Sequence, residues 1–167
     1  YAKGVATPAI LKAAVAAARR SACPLLVDPK VPNATYYSGA TVITPNHHEA
    51  EVMTGRRIVS HDDARDAARM IHEACGASVL MTWGEHGMWV MDTAAASVEE
   101  AAIPATAREV ADVTGAGDTV IATLALSLSA GATLAEAARL ATLAASTTAT
   151  RRPSSEPSAS ARTLASS

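Results

Sequence analysis

Asp112-Val113-Thr114-Gly115-Ala116-Gly117-Asp118 runs directly into the apolar stretch 119–130. Two glycines flank one small residue, an aspartate follows, and a helical pattern begins at once, so the stretch reads as a tight turn feeding a helix N-terminus. Gly115 and Gly117 carry no Cβ and adopt φ > 0 freely, which lets an anion approach the backbone closely. The first N–H groups of the helix have no intrahelical partner and point at such a ligand. The helix dipole supplies only about 0.3–1 kcal/mol for an exposed charge, while millimolar binding needs roughly 4 kcal/mol. Several charge-assisted N–H bonds of about 1.5–3 kcal/mol each close that gap. The turn therefore reads as a cradle for phosphate oxygens. Asp118 would repel phosphate, so its expected task is to take a proton as a general base. The competing reading is an ordinary loop with an aspartate N-cap, and the rest of the chain has to decide between them.

The chain has 167 residues, 49% of them hydrophobic, and a formal net charge of −2. This is one domain's worth of sequence with a sizeable core. The near-neutral balance leaves no basic footprint for nucleic acid. Aromatic residues make up 3% and Phe is absent, so the core must be built from Ala, Val, Leu, Ile and Met. Cys23 and Cys75 form no C-x-x-C pair and are expected as small buried hydrophobes in a reducing compartment, with a disulfide the less favoured alternative. No signal peptide opens the chain. The richest apolar region, 120–146, is broken by Gly131, Glu136 and Arg139, too short an uninterrupted run for a membrane span. The expectation is a soluble cytoplasmic protein with no membrane partner.

Upstream of the glycine turn, Thr7-Pro8 is a helix start and 9–20 continues it, ending on Arg19 and Arg20. Pro24-Leu25-Leu26-Val27 is too short for a helix and reads as a buried strand ending in Asp28-Pro29-Lys30. Thr41-Val42-Ile43 is a second strand, closed by Thr44-Pro45-Asn46, with a helix from His47 to Thr54 stopped by Gly55. Ser60-His61-Asp62-Asp63 opens a helix to Cys75, with Gly76 beyond its end. The stretch 78–82 is a third strand, Gly84 to Gly87 a turn, 88–91 a strand pairing back, and 98–103 an edge strand bearing Glu99 and Glu100. Helices are expected over 116–129 and from Thr133, where Thr133-x-x-Glu136 has capping-box form. The alanine-rich helices at both ends read as core-packing surfaces, and the polar stretch 151–167 as a disordered tail or linker. This alternation is the α/β pattern of a mostly parallel sheet covered by helices. Ligands bind beyond the carboxyl ends of such strands, where Asp28, Asn46, Thr82 and the glycine turn all fall.

Three segments now carry a resemblance. Residues 112–119 resemble the signature of the ribokinase-like (pfkB) carbohydrate kinase family, Asn46-His47-His48-Glu49 is similar to its N-x-x-E motif, and Thr82-Trp83-Gly84-Glu85-His86-Gly87 to its T-x-G-x-x-G nucleotide loop. All three stand in family order, and the resemblance extends over 1–150. It implies a three-layer ribokinase-like α/β fold. Tyr1-Ala2-Lys3-Gly4 matches a mid-domain segment, so residues 1–150 resemble the C-terminal, nucleotide-side part of a kinase domain whose N-terminal part is missing. Tyr1-Ala2-Lys3-Gly4, Val27-Asp28-Pro29-Lys30 and the segment 44–51 look like the D-glycero-β-D-manno-heptose 7-phosphate kinase branch, which serves ADP-heptose and lipopolysaccharide core synthesis.

The resemblance implies ATP-dependent phosphorylation of a sugar hydroxyl, with heptose 7-phosphate as acceptor. Asp118 would take the hydroxyl proton, while Gly115, Ala116 and Gly117 stabilise the transferring phosphoryl group. Glu49, with Asn46, would organise Mg²⁺ through water. Thr82, Gly84 and Gly87 would line the nucleotide path, and Asp112 and Thr114 match positions that bind a monovalent cation, K⁺, in some members. Lys30 reads equally as a phosphate contact or as a solvated surface lysine. Where the family carries an Asn near the adenine, this chain has Thr142. His47 and His48 read as spacers and Trp83 as core packing, and no Cys/His spacing suits a transition metal. Competing readings are a non-catalytic nucleotide-binding module and a family kinase for ribose, fructose phosphate or a nucleoside. A homodimer is the expected association, because an exposed parallel strand edge needs a partner. A Rossmann dehydrogenase is disfavoured, since the first strand–turn–helix lacks G-x-G-x-x-G with an acidic residue about twenty positions further on.

Overall fold

The structure, a computed structural model, describes residues 7–30, 32–94, 97–106 and 116–149. Its helices are α1 (Pro8–Arg20), α2 (His47–Thr54), α3 (His61–Cys75), α4 (Ala116–Ser129) and α5 (Leu134–Ala149). Its strands are β1 (Leu26–Val27), β2 (Val42–Ile43), β3 (Ser78–Thr82), β4 (Met88–Asp92) and β5 (Glu99–Ile103). The strands form one sheet in the order β1-β2-β3-β4-β5. β1, β2 and β3 pair in parallel, whereas β4 is antiparallel to both β3 and β5. Four of the five strands thus share one direction, as the sequence pattern implies, and β4 is the exception that the Gly84–Gly87 turn creates.

Alternation along the strands sorts the core into two layers. Ile43, Val79, Met81, Trp89 and Met91 face one side, against α2, α3 and the 3₁₀ turn Ala34–Tyr37. Val42, Leu80, Met88, Val90 and Ile103 face the other, against α4 and α5. Helices, sheet, helices: the three layers follow directly. α3 buries Ala64, Ala67, Ala68, Ile71 and Cys75, a stripe of helical spacing whose alanines let the helix sit close to the sheet. Ser60 accepts a hydrogen bond from the Asp63 N–H at its start, and Gly76 ends it at φ 75°. α5 repeats the pattern with Leu134, Ala137, Ala138, Ala141 and Ala145. Its Thr133–Glu136 capping box forms as expected, the Glu136 N–H donating to Thr133 Oγ1 at 3.3 Å and the Thr133 N–H to Glu136 Oε2 at 2.9 Å. Asp92, buried at the end of β4, accepts from the Leu134 N–H at 3.1 Å, from the Ala94 N–H at 3.0 Å and from the Ser78 hydroxyl at 3.2 Å. One carboxylate therefore pins the N-terminus of α5 to the sheet.

Three sequence expectations are corrected. α1 contains no buried residue and, among the described residues, packs on the core cluster through half-buried Leu11, whereas α5 is a core surface. Alanine promotes helix without specifying what covers it. β1 is half-buried and, among the described residues, ends the sheet on one side. Cys23 is exposed, following α1, whereas Cys75 is buried as expected, and both thiols are free. The tail 151–167, Tyr1-Ala2-Lys3-Gly4, Asp112, Thr114 and Gly115 lie outside the described residues.

Candidate active site

The carboxyl ends of β1, β2 and β3 lie side by side, and each continues into a polar segment. Beyond β1, Asp28 and Lys30 flank buried Pro29, and the Lys30 N–H donates to Tyr37 Oη at 2.9 Å. That bond fixes the backbone from which the lysine side chain starts. Beyond β2, Asn46 caps α2: its Oδ1 accepts from the Glu49 N–H at 2.9 Å, and Glu49 Oε2 accepts from the Asn46 N–H at 2.9 Å. The N-x-x-E segment is therefore a complete capping box. Beyond β3, the Thr82 N–H donates to Pro45 O at 3.0 Å, and Thr82 bridges Asn46 in parallel register. So Asn46 and Thr82 are held together by backbone alone.

The remaining Glu49 oxygen faces β1. Lys30 Nζ lies 2.9 Å from Glu49 Oε1 and 3.1 Å from Asp28. Partial burial opposes the lysine charge, but hydrogen bonds to Glu49 and Asp28, and their negative charges, outweigh it and hold the Lys30 pKa above the ordinary lysine value. Lys30 is thus exposed yet engaged with the strand-end carboxylates, an arrangement compatible with both readings left open for it. Sequence reasoning missed this pairing, because residues 30 and 49 become neighbours only through the β1–β2 pairing. Lys30, Asn46, His48 and Glu49, with Pro29, Pro32, Val52 and Met53, line a cavity of about 320 Å³. The His47 and His48 rings lie with centroids 3.8 Å apart, tilted by 39°, in the first turn of α2, and burial, then the neighbouring His48, pushes the His47 pKa down.

The nucleotide-loop segment is a 3₁₀ turn, Gly84–His86, closed by the Trp83 N–H donating to Gly87 O at 2.8 Å. Gly84 has φ 51° and open space around it; Gly87 has φ 82° and ψ −127° against the end of β5. Trp83 is buried, as expected, with His86 4.5 Å from its ring.

β5 ends at Ile103, which pairs with Met88, so the chain leaves the sheet at this same edge. α5 starts at the opposite edge, held there by Asp92. α4, about 21 Å long, spans the distance between them, so its N-terminus with Gly117 and exposed Asp118 lies toward the edge that carries Asn46 and Thr82. No Cβ contact would be made at Gly117 within 4 Å, which leaves its backbone open to a ligand. Thr142, by contrast, is buried in α5, its hydroxyl donating to Ala138 O at 3.0 Å and lying 3.8 Å from Met88 Sδ. It packs against the sheet rather than offering a contact to solvent.

The donor set at this edge consists of carboxylate and amide oxygens, which suit a hard divalent ion. Among the described residues no group of three or more His, Cys, Asp or Glu side chains is placed to cage a metal.

Comparison with known proteins bears on the family and the fold. Residues 2–161 match the pfkB family carbohydrate kinase profile. The bifunctional protein HldE of Pelobacter propionicus is 47% identical over 146 residues, covering 87% of this chain and 29% of its own length. HldE of Caulobacter sp. is 48% identical over 147 residues, covering 87% and 30%. The chain thus spans less than a third of the curated relatives it matches. Among solved structures, Arabidopsis thaliana ribokinase complexed with ribose and ATP superposes with a TM-score of 0.69 at 24% identity, over 84% of this chain and 46% of that one. Phosphofructokinase-2 from Escherichia coli gives 0.65 at 23%, over 85% and 46%. The chain belongs to the pfkB family of carbohydrate kinases, and its fold is ribokinase-like.

Proposed function

We propose that this chain is the nucleotide-side part of an ATP-dependent sugar kinase that phosphorylates heptose 7-phosphate at its anomeric hydroxyl, giving the 1,7-bisphosphate and ADP. The observation that carries the reading is the convergence of Lys30, Asn46, Glu49 and Thr82 at one sheet edge, in a chain 47% identical to an HldE protein. Asp118 accepts the proton of the attacking hydroxyl, that oxygen forms the new bond to the γ-phosphorus, and the bond to the β,γ-bridging oxygen breaks. The Ala116 and Gly117 backbone at the start of α4, with Gly115 next to it in sequence, offers N–H groups to the charge that spreads over the equatorial oxygens. Thr82, Gly84 and Gly87 shape the path of the nucleotide. Glu49 and Asn46 would hold Mg²⁺ through water, and the ion would supply neutralisation of phosphate charge. Asp112 and Thr114 would hold K⁺, as the family resemblance implies.

The test is ATP consumption by the parent-length protein with and without heptose 7-phosphate, before and after Asp118→Asn. Turnover should be sugar-dependent and fall by roughly 10²–10⁴, the span of a general base, with ATP affinity nearly unchanged. Retained turnover in Asp118→Asn would reduce Asp118 to a helix-terminal residue. ATP binding without turnover on any sugar would favour the non-catalytic module, and turnover on ribose, fructose phosphate or a nucleoside would reassign the acceptor.

A further inference from the structure

We propose that Lys30 is a built-in competitor for the divalent cation, its ammonium occupying the free face of Glu49 until a metal takes that face. The proposal rests on the reading of Glu49 as the cation-side carboxylate. Glu49 has two oxygens with different duties. Oε2 is committed to the Asn46 N–H within the capping box, so a cation has Oε1 to approach, and Lys30 Nζ already lies 2.9 Å from it. The capping box fixes the carboxylate and the Tyr37 hydroxyl fixes the Lys30 backbone. What is left movable is the lysine's four-carbon stem, whose side chain is 37% exposed and has room to swing.

The charges fit this role. Asp28 and Glu49 with Lys30 sum to −1, because two carboxylates face one ammonium. Unpaired, the two carboxylates would repel a nucleotide polyphosphate; the lysine halves that repulsion in the metal-free protein. A divalent ion beside Glu49 makes the sum +1 and repels the ammonium, which keeps Asp28 as a partner at 3.1 Å and can turn toward the 320 Å³ cavity it already lines. Lys30 is then released to pair with a phosphate oxygen when the nucleotide arrives with its metal.

The experiment measures Mn²⁺ binding directly, by calorimetry and by the loss of the free-ion paramagnetic resonance signal, without nucleotide and at low ionic strength. Wild type is compared with Lys30→Met, Lys30→Arg and Glu49→Gln, each checked for native circular dichroism. A charge held about 5 Å from a divalent ion, even in water's dielectric, opposes it by roughly tenfold in affinity. A lysine free to swing away opposes it by less, so Lys30→Met should bind Mn²⁺ about three- to tenfold tighter, bracketed by these limits. Lys30→Arg should stay near wild type. A change below twofold in Lys30→Met, or weaker binding, overturns the proposal. If Mn²⁺ binds wild type and Lys30→Met alike and is lost in Glu49→Gln, the cation site stands and the competitor role fails. If no folded variant binds Mn²⁺, both fail together.

Discussion

Adding a single methyl group at Gly87 should cost far more than adding one at Gly84, three residues away in the same loop. Both glycines have positive φ, so intrinsic backbone preference penalises alanine at each. At Gly84, φ 51° is ordinary left-handed backbone and no atom lies within 4 Å of the added carbon. The conformational cost there is about 1–2 kcal/mol, offset by about 0.4–1 kcal/mol from restricting the unfolded chain, so the net loss is about 1 kcal/mol. At Gly87, φ 82° with ψ −127° is territory that essentially glycine alone adopts, costing about 1–3 kcal/mol. The added carbon would also fall within contact of the Ile103 carbonyl, 2.6 Å from the Ala105 nitrogen and 2.8 Å from the Pro104 carbonyl carbon. These are backbone atoms that no rotamer change can move, and relieving them means shifting the end of β5, at a further cost of about 1–3 kcal/mol. The two terms add to about 2–6 kcal/mol, or about 1–5.5 kcal/mol after the same unfolded-chain offset, a fall in Tm of roughly 2–22 °C for a chain of this size. Urea and thermal unfolding followed by circular dichroism, with the emission of buried Trp83 and Trp89 as a local reporter, read both variants. Equal losses at Gly84 and Gly87, or a Gly87→Ala loss below about 1 kcal/mol, would refute the packing of this loop against β5 and this account of its glycine spacing.

Two further outcomes are expected. Asp92→Ala should destabilise by about 2–4 kcal/mol in urea unfolding, because the buried Leu134 N–H loses a charged acceptor. Asp92→Asn, which keeps one acceptor oxygen, should lose about half as much. Titration with a thiol reagent near neutral pH should modify exposed Cys23 in the folded protein, while buried Cys75, whose pKa burial pushes up, reacts only after unfolding. Prompt reaction of both thiols would contradict the placement of α3 on the sheet.

Much of this fold is written locally. Gly55 and Gly76 stop α2 and α3 where the sequence places their ends, and Gly84 to Gly87 turns the chain for the one reversed strand. Those signals depend on one residue's own backbone freedom, so they are readable without neighbours. The exposure of α1 and Cys23 is not of that kind: it depends on what lies across from them. The site divides the same way. Asn46, Glu49 and Thr82 announce themselves by motif, but N-x-x-E is equally the spacing of a capping box, and the structure has Asn46 and Glu49 serving as one. The Lys30–Glu49 pair was invisible because it depends on which strands are neighbours. Local composition does not encode strand order.

The two halves of the Lys30–Glu49 pair stand on ground of unequal firmness. Glu49 is held by a capped helix whose Ala50 is fully buried, whereas Lys30 follows a two-residue strand that ends the sheet. Segments with few buried contacts open at lower free energy than the core and exchange their amide protons sooner. The β1 side of the cleft is therefore the part whose local opening a ligand bridging Lys30 and Glu49 would suppress. Occupancy would then be felt as slower amide exchange from Leu26 to Lys30, while the already protected amides of β3 would change little.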